Sequence, residues 1–152
     1  MGVFDLLFQR KRAGRSARVS YESARERAAA GAAFLDEQQP GWYEIIDVDG
    51  LELSHGGACV LGQLHGEFRM GLGRAAIFNF SSAPRANLSP VRLGFLCVQG
   101  VSAAEQDRDY DLLNAAWREE IRRRRQVEKE DEERIAESGA TNPATAEQAV
   151  LV

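Results

Sequence analysis

The chain has 152 residues, 44% of them hydrophobic, and it carries 19 Lys or Arg against 23 Asp or Glu. This length supports one modest hydrophobic core. No stretch approaches the roughly 20 apolar residues that a membrane-spanning helix needs, and two cysteines do not make a disulfide framework. The first apolar run is short and precedes the basic residues, unlike a signal peptide. We therefore expect a cytoplasmic protein without a membrane partner.

Residues 1–19 are predicted to form a basic arm, because they contain five Arg or Lys and one Asp behind a short apolar knot. Such an arm docks on its own domain or a neighbouring subunit, grips nucleic-acid phosphates, or lies on an anionic membrane. We favour protein docking and keep nucleic-acid binding as the alternative. The candidate partner-binding residues of the arm are Phe4, Leu7, Arg10, Lys11, Arg12 and Arg15.

A core domain is predicted over residues 20–121. Ser23 and Glu26 have the spacing of a capping box, so a helix begins there, or one turn earlier at Ser20. Pro40 ends it, because the residue before a proline is disfavoured in the helical region. The helix carries a stripe of small residues that suits close packing on the glycines of another helix. A second, short helix is predicted over residues 41–47, with Trp42 on its buried face.

The stretch from Ser54 to Leu72 is predicted to be the central helix. Its apolar residues recur at the three-and-four spacing of one helical face. Gly62 and Gly66 each weaken a helix by roughly 1 kcal/mol relative to alanine. We expect another helix to cross closely over them and offset that loss.

Residues on both sides of this stretch form a longer pattern. It consists of Pro40, Gly41, Trp42, Ile46, Asp47, Leu51, Leu53, the segment CVLGQL at Cys59–Leu64, Gly94, Phe95, Tyr110, Leu113, Ala116 and Trp117. This pattern resembles a group of small uncharacterised proteins of actinobacteria and their phages, and it covers roughly the middle two-thirds of the chain. The resemblance implies a small helical domain and an actinobacterial or phage source, with a virion location if the gene is phage-encoded, and it implies no reaction.

Residues 75–98 carry weaker signals. The apolar run 75–80 is compatible with a strand or a helix end, and residues 81–90 have the Ser, Pro and Asn content of a surface loop. Ser89 and Pro90 are suited to open one helical turn that Gly94 closes. Residues 95–98 are the best strand candidate, with 75–80 as the partner in a small hairpin.

A long C-terminal helix is predicted from Ala103 to about Glu137. Ser102 and Glu105 form a capping box, and an apolar stripe runs as far as Ile121. Beyond Ile121 the helix depends on ion pairs between residues four apart. The predicted pairs are Glu119 with Arg123, Glu120 with Arg124 and Glu130 with Arg134. We expect residues 122–137 to project as a charged helix and residues 138–152 to be disordered.

The histidines and cysteines suggest two other kinds of site, a zinc site and a catalytic thiol. His55, Cys59, His65 and Cys97 are the soft metal ligands of the chain, but their spacing does not match a zinc site. We therefore expect no metal or other cofactor and interpret the cysteines as buried core residues. A thiol enzyme built on Cys59 is an unfavoured third hypothesis.

The four successive arginines Arg122, Arg123, Arg124 and Arg125 are the densest basic point of the chain. They spread around the helix and acidic residues follow, so a solvated helix with a role in partner binding is favoured over a nucleic-acid reader. The predicted fold is mainly α, a small bundle of three to four helices around a central glycine-containing helix. The predicted function is that of a non-enzymatic protein-interaction or assembly protein, which binds a protein partner or a second copy.

Overall fold

The computed structural model describes residues 19–74 and 89–139. Across these two ranges the chain is mainly helical and contains no strand, so the predicted small helical bundle is confirmed. None of the helices there is both long and apolar enough to cross a membrane. The helices are α1 (Tyr21–Gln38), α2 (Trp42–Ile45), α3 (Val60–His65), α4 (Phe68–Arg74) and α5 (Ala103–Gly139).

Helix α1 begins at the earlier of the two predicted positions. The side chain of Ser20 accepts a hydrogen bond from the backbone N–H of Ser23 at 3.1 Å, so Ser20 rather than Ser23 is the N-cap. The helix ends at Gln38, before Pro40, as predicted. One side of α1 is made of small buried residues, including Ala28, and faces α5.

The prediction of one central helix from Ser54 to Leu72 is wrong. The chain forms turns up to Cys59 and then two short helices, α3 and α4, separated at Gly66. Gly66 has a φ of 88°, a conformation that ends a helix and that residues with a Cβ rarely adopt. The apolar spacing continues across this break, which is why periodicity alone suggested a single helix.

The glycines of this region accommodate loops, not a crossing helix. A Cβ on Gly62 would lie 2.1 Å from the carbonyl oxygen of Gly56. The turn before α3 can therefore pack against this position only because Gly62 has no side chain. The small stripe of α1 likewise meets a turn: a Cβ on Gly31 would lie 2.0 Å from the carbonyl oxygen of Leu93. The predicted packing of α1 on the glycines of a central helix is therefore wrong.

Helix α2 is shorter than predicted and buries one large residue. Trp42 is fully buried, whereas Ile45, which helical spacing predicts on the same face, is 62% exposed. The chain leaves the helix at Ile46, which has extended backbone angles and a buried side chain. The core therefore receives Trp42 from α2 and Ile46 from the segment behind it.

The segment 89–98 turns once and then continues as irregular backbone without pairing as a strand. Its turn agrees with the prediction, since Gly94 N–H donates to the carbonyl of Val91 and Gly94 has a φ of 65°. Phe95, Cys97 and Val98 are buried. Residues 95–98, the strand candidate of the less favoured hairpin alternative, form no strand. The partner suggested at 75–80 lies outside the described residues, as do 81–88 of the predicted loop.

Helix α5 confirms the predicted C-terminal helix and its capping box, in which Ser102 and Glu105 bond to each other's backbone N–H groups. Leu113, Trp117 and Ile121 are completely buried. The helix runs to Gly139, so Ser138, predicted to be disordered, is helical. The rest of the predicted tail, 140–152, lies outside the described residues.

Candidate functional site

Polar side chains of α5 hold the distant parts of the chain in place. Asp109 is fully buried, accepts a hydrogen bond from the guanidinium of Arg27 on α1, and also accepts one from the backbone N–H of Val98 at 2.8 Å. A buried carboxylate is tolerated when it is paired and hydrogen-bonded in this way. Asp109 thus joins α1 and the 89–98 segment to one turn of α5.

Two further residues of α5 fix the irregular segment between α2 and α3. Asn114 accepts from the backbone N–H of Leu53 at 2.8 Å, and Arg118 donates to the carbonyls of Val48 at 3.2 Å and Leu51 at 2.7 Å. These bonds satisfy backbone groups that have no helical or sheet partner. The segment is therefore ordered by side chains of α5.

The segment CVLGQL is also structural. The Sγ of Cys59 caps α3 by accepting from the N–H of Gly62 at 3.2 Å. Gln63 accepts from the N–H of Asp47 at 2.7 Å and donates to the carbonyls of Asp47 at 3.1 Å and Ala58 at 2.9 Å. One amide side chain thus joins α3 to two turns.

Trp117 occupies the centre of the core. Its ring stacks on Phe95 at 5.3 Å between centroids and meets Trp42 edge-on at 5.7 Å, while its Nε1 donates to the carbonyl of Gly94 at 2.7 Å. The two tryptophans are core residues, as predicted, and they contact each other. Residues of the actinobacterial and phage pattern therefore have structural positions here, and a functional surface is better sought elsewhere.

The four soft ligands do not form a metal centre. His55 is exposed, and its Nδ1 accepts from the N–H groups of Gly57 and Ala58, both at 3.2 Å. His65 ends α3 with its ring beside Gly71. Within ranges 19–74 and 89–139, no three His, Cys, Asp or Glu residues are grouped so as to hold a metal ion.

The two thiols are buried, as predicted. Burial raises the pKa of Cys59 and the pKa of Cys97. Cys97 also faces Tyr110, whose pKa is raised to about 12, first by burial and then by its hydrogen bond with Cys97. A raised thiol pKa leaves less thiolate at neutral pH, which is the nucleophilic form. These environments suit core residues better than a catalytic nucleophile.

The four arginines of α5 divide into two pairs. Arg124 forms a bidentate ion pair with Asp36 on α1, with distances of 3.0 and 2.7 Å, and a second ion pair with Glu120, as predicted. Arg125 donates to the carbonyls of Tyr43 at 2.7 Å and Ile46 at 2.6 Å. These two side chains extend the packing of α5 on the body beyond Ile121.

The other two arginines, Arg122 and Arg123, are exposed. Arg123 pairs with Glu120 at 2.7 Å, not with the predicted Glu119, whose carboxylate accepts from the Tyr21 hydroxyl. Of the predicted basic cluster, therefore, two arginines anchor the helix and two remain at its surface.

A groove of about 610 Å³ lies where α5 leaves the body. One wall is the turn before α2 together with Tyr43, and the other is the α5 face that follows the basic cluster. Its volume is in the range of small-ligand pockets, but it is open and spans three turns of helix, as a groove for a peptide segment does. It is lined by Asp36, Pro40, Gly41, Tyr43, Arg123, Arg124, Val127, Glu128, Asp131, Glu132 and Ile135.

The α5 face that forms this wall is apolar at two exposed points. Val127 is 52% exposed and Ile135 is 70% exposed. Ile135 lies two heptads after the buried Ile121 and therefore continues the core-facing side of the helix past the end of the core. Neither residue was predicted from the sequence to belong to a site. A pair of large apolar side chains in an otherwise charged segment could have indicated them.

The groove is electrostatically negative. Residues 126–139 contain six Asp or Glu and two Lys or Arg. Partial removal from water and the charges of Glu44 and Glu132 raise the pKa of Glu128, which lies within hydrogen-bonding reach of Tyr43 and Glu44. A cation in the groove would relieve this repulsion. The surface therefore suits a partner with both basic and apolar side chains.

The predicted arm residues Phe4, Leu7, Arg10, Lys11, Arg12 and Arg15 lie outside the described residues. Comparison of the chain with protein-family models, with curated proteins and with solved structures found no match. The resemblance to the actinobacterial and phage group stays a prediction.

Proposed function

We propose that this chain is a non-enzymatic protein-interaction protein that assembles through the projecting part of α5 and the groove beside it. The observation that carries the proposal is the exposed apolar pair, Val127 and Ile135, on a helix that continues beyond the body. Residues 126–139 span about 20 Å at 1.5 Å per residue. An exposed apolar face at an open groove is a common feature of protein contact sites.

Energetics favour a partner for this part of the helix. A helix shorter than about 12 to 15 residues is marginal in water, and the projecting part has only local support. Lys129 pairs with Glu133 at 3.9 Å and Arg134 with Asp131 at 2.9 Å, and all four side chains are exposed. Exposed helical ion pairs contribute about 0.3 to 0.5 kcal/mol each. Contact with a second protein would add apolar burial that these pairs do not supply.

The proposal is tested by measuring the solution mass of the full chain as a function of concentration. Sedimentation velocity and light scattering are expected to show assembly above the 16.8 kDa of one chain. The double variant Val127→Asp/Ile135→Asp should remove that assembly. The matched control, Gln126→Asp/Ala136→Asp, adds the same charge to the same helix at positions that do not line the groove, and should assemble normally.

Two results would overturn the proposal. One is a strict monomer at every concentration, together with no protein recovered from cells of the source organism. The other is loss of assembly in the control variant as much as in the groove variant, since a groove contact requires a difference between the two.

A second candidate function is that of a nucleic-acid accessory protein, favoured by the five Arg or Lys of residues 1–19. Binding through phosphate contacts weakens steeply as salt rises. We would then expect DNA or RNA binding that falls with salt and disappears when residues 1–19 are removed. Absent or salt-independent binding would exclude this candidate.

A further inference from the structure

One other segment of the same chain has the charge and the apolar side chains that complement the groove at the exit of α5. Its walls combine apolar side chains, such as Tyr43 and Ile135, with the acidic residues of the projecting helix. Residues 1–18 combine an apolar knot with basic residues in immediate succession. We propose that the chain's own N-terminal arm, residues 1–18, lies in this groove when no partner is bound.

Charge complementarity is the first support. The arm contains five Arg or Lys and one Asp, whereas residues 126–139 contain six Asp or Glu and two Lys or Arg. Opposite charges attract over about 10 Å at 0.1 M salt, and the attraction weakens as salt is added. A cation of the arm beside the carboxylate of Glu128 would relieve the repulsion that Glu44 and Glu132 exert on it.

Apolar complementarity is the second support. The knot contains Phe4 and Leu7, and the groove offers the exposed faces of Val127 and Ile135. Removing apolar surface from water contributes roughly 25 cal/mol per Å². The arm therefore carries the two features that complement the groove, positive charge and apolar side chains. Its basic residues lie in the sequence between the apolar knot and the body.

The length of the arm is the third support. The hydroxyl of Tyr21 donates to Glu119 of α5, so residue 19 enters the body close to the middle of this helix. Ile135 is 16 residues further along α5, or about 24 Å at 1.5 Å per residue. The 11 residues from Phe8 to Arg18 can span at most about 36 Å. The knot thus reaches the groove without strain.

Because the arm is tethered to the body, it is expected to bind the groove of its own chain and not that of a second copy. A short tether gives an effective concentration of the order of millimolar, which a second copy of the protein would have to exceed in solution. The inference rests on the proposed function, since it makes the arm a competitor of the protein partner for one surface. A partner would then meet a groove that is partly occupied, and its apparent affinity would fall in proportion to that occupancy.

The test uses the full chain with a nitroxide label on an introduced cysteine, Asp5→Cys. Cys59 and Cys97 are buried, so the label is directed to the introduced thiol. Amide spectra of the isotope-labelled protein are expected to lose more than about half of the signal intensity of residues 126–139 at low salt, and to recover at about 0.5 M salt. Charge reversal at Arg10, Lys11 and Arg12 to Glu should abolish the loss. Arg69→Glu, which reverses an exposed cation of α4, is the control that should leave it unchanged.

Each other outcome overturns the inference. No signal loss, or loss over a different surface, means that the arm does not occupy the groove. Signal loss in an isotope-labelled chain mixed with a spin-labelled second copy means that the arm docks between copies. The charge-reversed variant separates this inference from the proposed function. We expect it to assemble about tenfold more readily than the unmodified chain, because the arm no longer competes for the groove. Unchanged assembly would show that the arm does not compete, while the proposed assembly through the groove would be unaffected.

Discussion

The two parts of α5 have similar charge content but opposite relations to the rest of the chain. In the part that packs on the body, up to Arg125, charged and polar side chains bond to residues far away in sequence: Asp109 to Arg27, Arg118 to Leu51 and Arg124 to Asp36. In the part from Gln126 onward, apart from Glu128 beside Tyr43 and Glu44, side chains bond to neighbours three or four residues away. The range of its polar contacts thus distinguishes the part of α5 that organises the fold from the part that we propose as a contact surface.

The largest effect is expected at the centre of the packed part. Trp117→Ala removes a fully buried ring that contacts both Phe95 and Trp42. Large-to-small changes of this kind cost about 4 kcal/mol, close to the whole stability of a small domain. Urea unfolding should show a molten or unfolded protein. An unchanged midpoint with a lost partner would mean that this face binds a partner and is not core.

A smaller loss is expected from neutralising the buried carboxylate. Asp109→Asn keeps an acceptor for the N–H of Val98 but leaves the buried guanidinium of Arg27 without its anion, at a cost of about 3 kcal/mol. The double variant Arg27→Met/Asp109→Asn removes both charges and should regain most of that loss. If the single and double variants unfolded at the same denaturant concentration, the ion pair would not be the cause.

Arg125 and Arg122 offer a comparison at the boundary between the two parts. Arg125→Gln removes the hydrogen bonds to the carbonyls of Tyr43 and Ile46, which should destabilise the protein by about 1 to 2 kcal/mol. Arg122→Gln changes an exposed side chain of the same type and should stay within about 0.5 kcal/mol. Equal thermal shifts for the two variants would contradict the division of the basic cluster into anchoring and surface residues.

The smallest effect is a difference in titration. The bidentate bond from Arg124 lowers the pKa of Asp36, whereas partial removal from water and the charge of Glu44 raise the pKa of Glu128. Asp36 therefore stabilises the fold above the ordinary Asp pKa of about 3.9, and this contribution is lost as pH falls through its lower folded value. The contribution of Glu128 has the opposite sign, because its favoured neutral form is lost as pH rises.

Carboxyl NMR titration of the full chain should accordingly show Glu128 protonating at a higher pH than an ordinary Glu, and Asp36 at a lower pH than an ordinary Asp. The stability difference between the unmodified chain and Asp36→Asn should close as pH is lowered from 7 toward 2. A difference that stays constant over this range would show that the Asp36 to Arg124 pair contributes nothing to folding. The effect is small because the carboxylate is partly exposed and water screens the pair.

Local signals in the sequence predicted the elements that form by local rules. The caps at Ser20 and Ser102 and the apolar stripe of α5 depend on spacing within one helix. The break at Gly66 was missed because the positive φ of a glycine leaves no trace in apolar periodicity. Asp109 was missed for another reason: it lies on the apolar side of the helix, four residues before Leu113, but its charge marked it as a surface residue. Only the docked segments supply the partners that allow Asp109 and Asn114 to be interior.

The candidate site was predicted only in outline. The projecting helix and its basic start followed from length and composition, since a core of this size cannot bury 37 residues of α5. That Arg124 and Arg125 bond to α1 and to the backbone of residues 43–46 was not visible, because contacts between residues about 80 apart depend on the tertiary fold. The groove exists only through that docking, so no local pattern indicated Val127 and Ile135 as its wall.

The bonds from α5 to the irregular segments have a consequence for amide hydrogen exchange. The N–H groups of Leu53 and Val98 lie in no helix, yet each donates to a buried side chain of α5, Asn114 and Asp109. Solvent deuterium reaches such amides only when the bond opens. These two should therefore exchange together with the core of α5, in one cooperative unit, and far more slowly than the helical amides of residues 130–138. In this protein, slow amide exchange is expected to identify residues that are bonded to the packed part of α5 better than it identifies residues in helices.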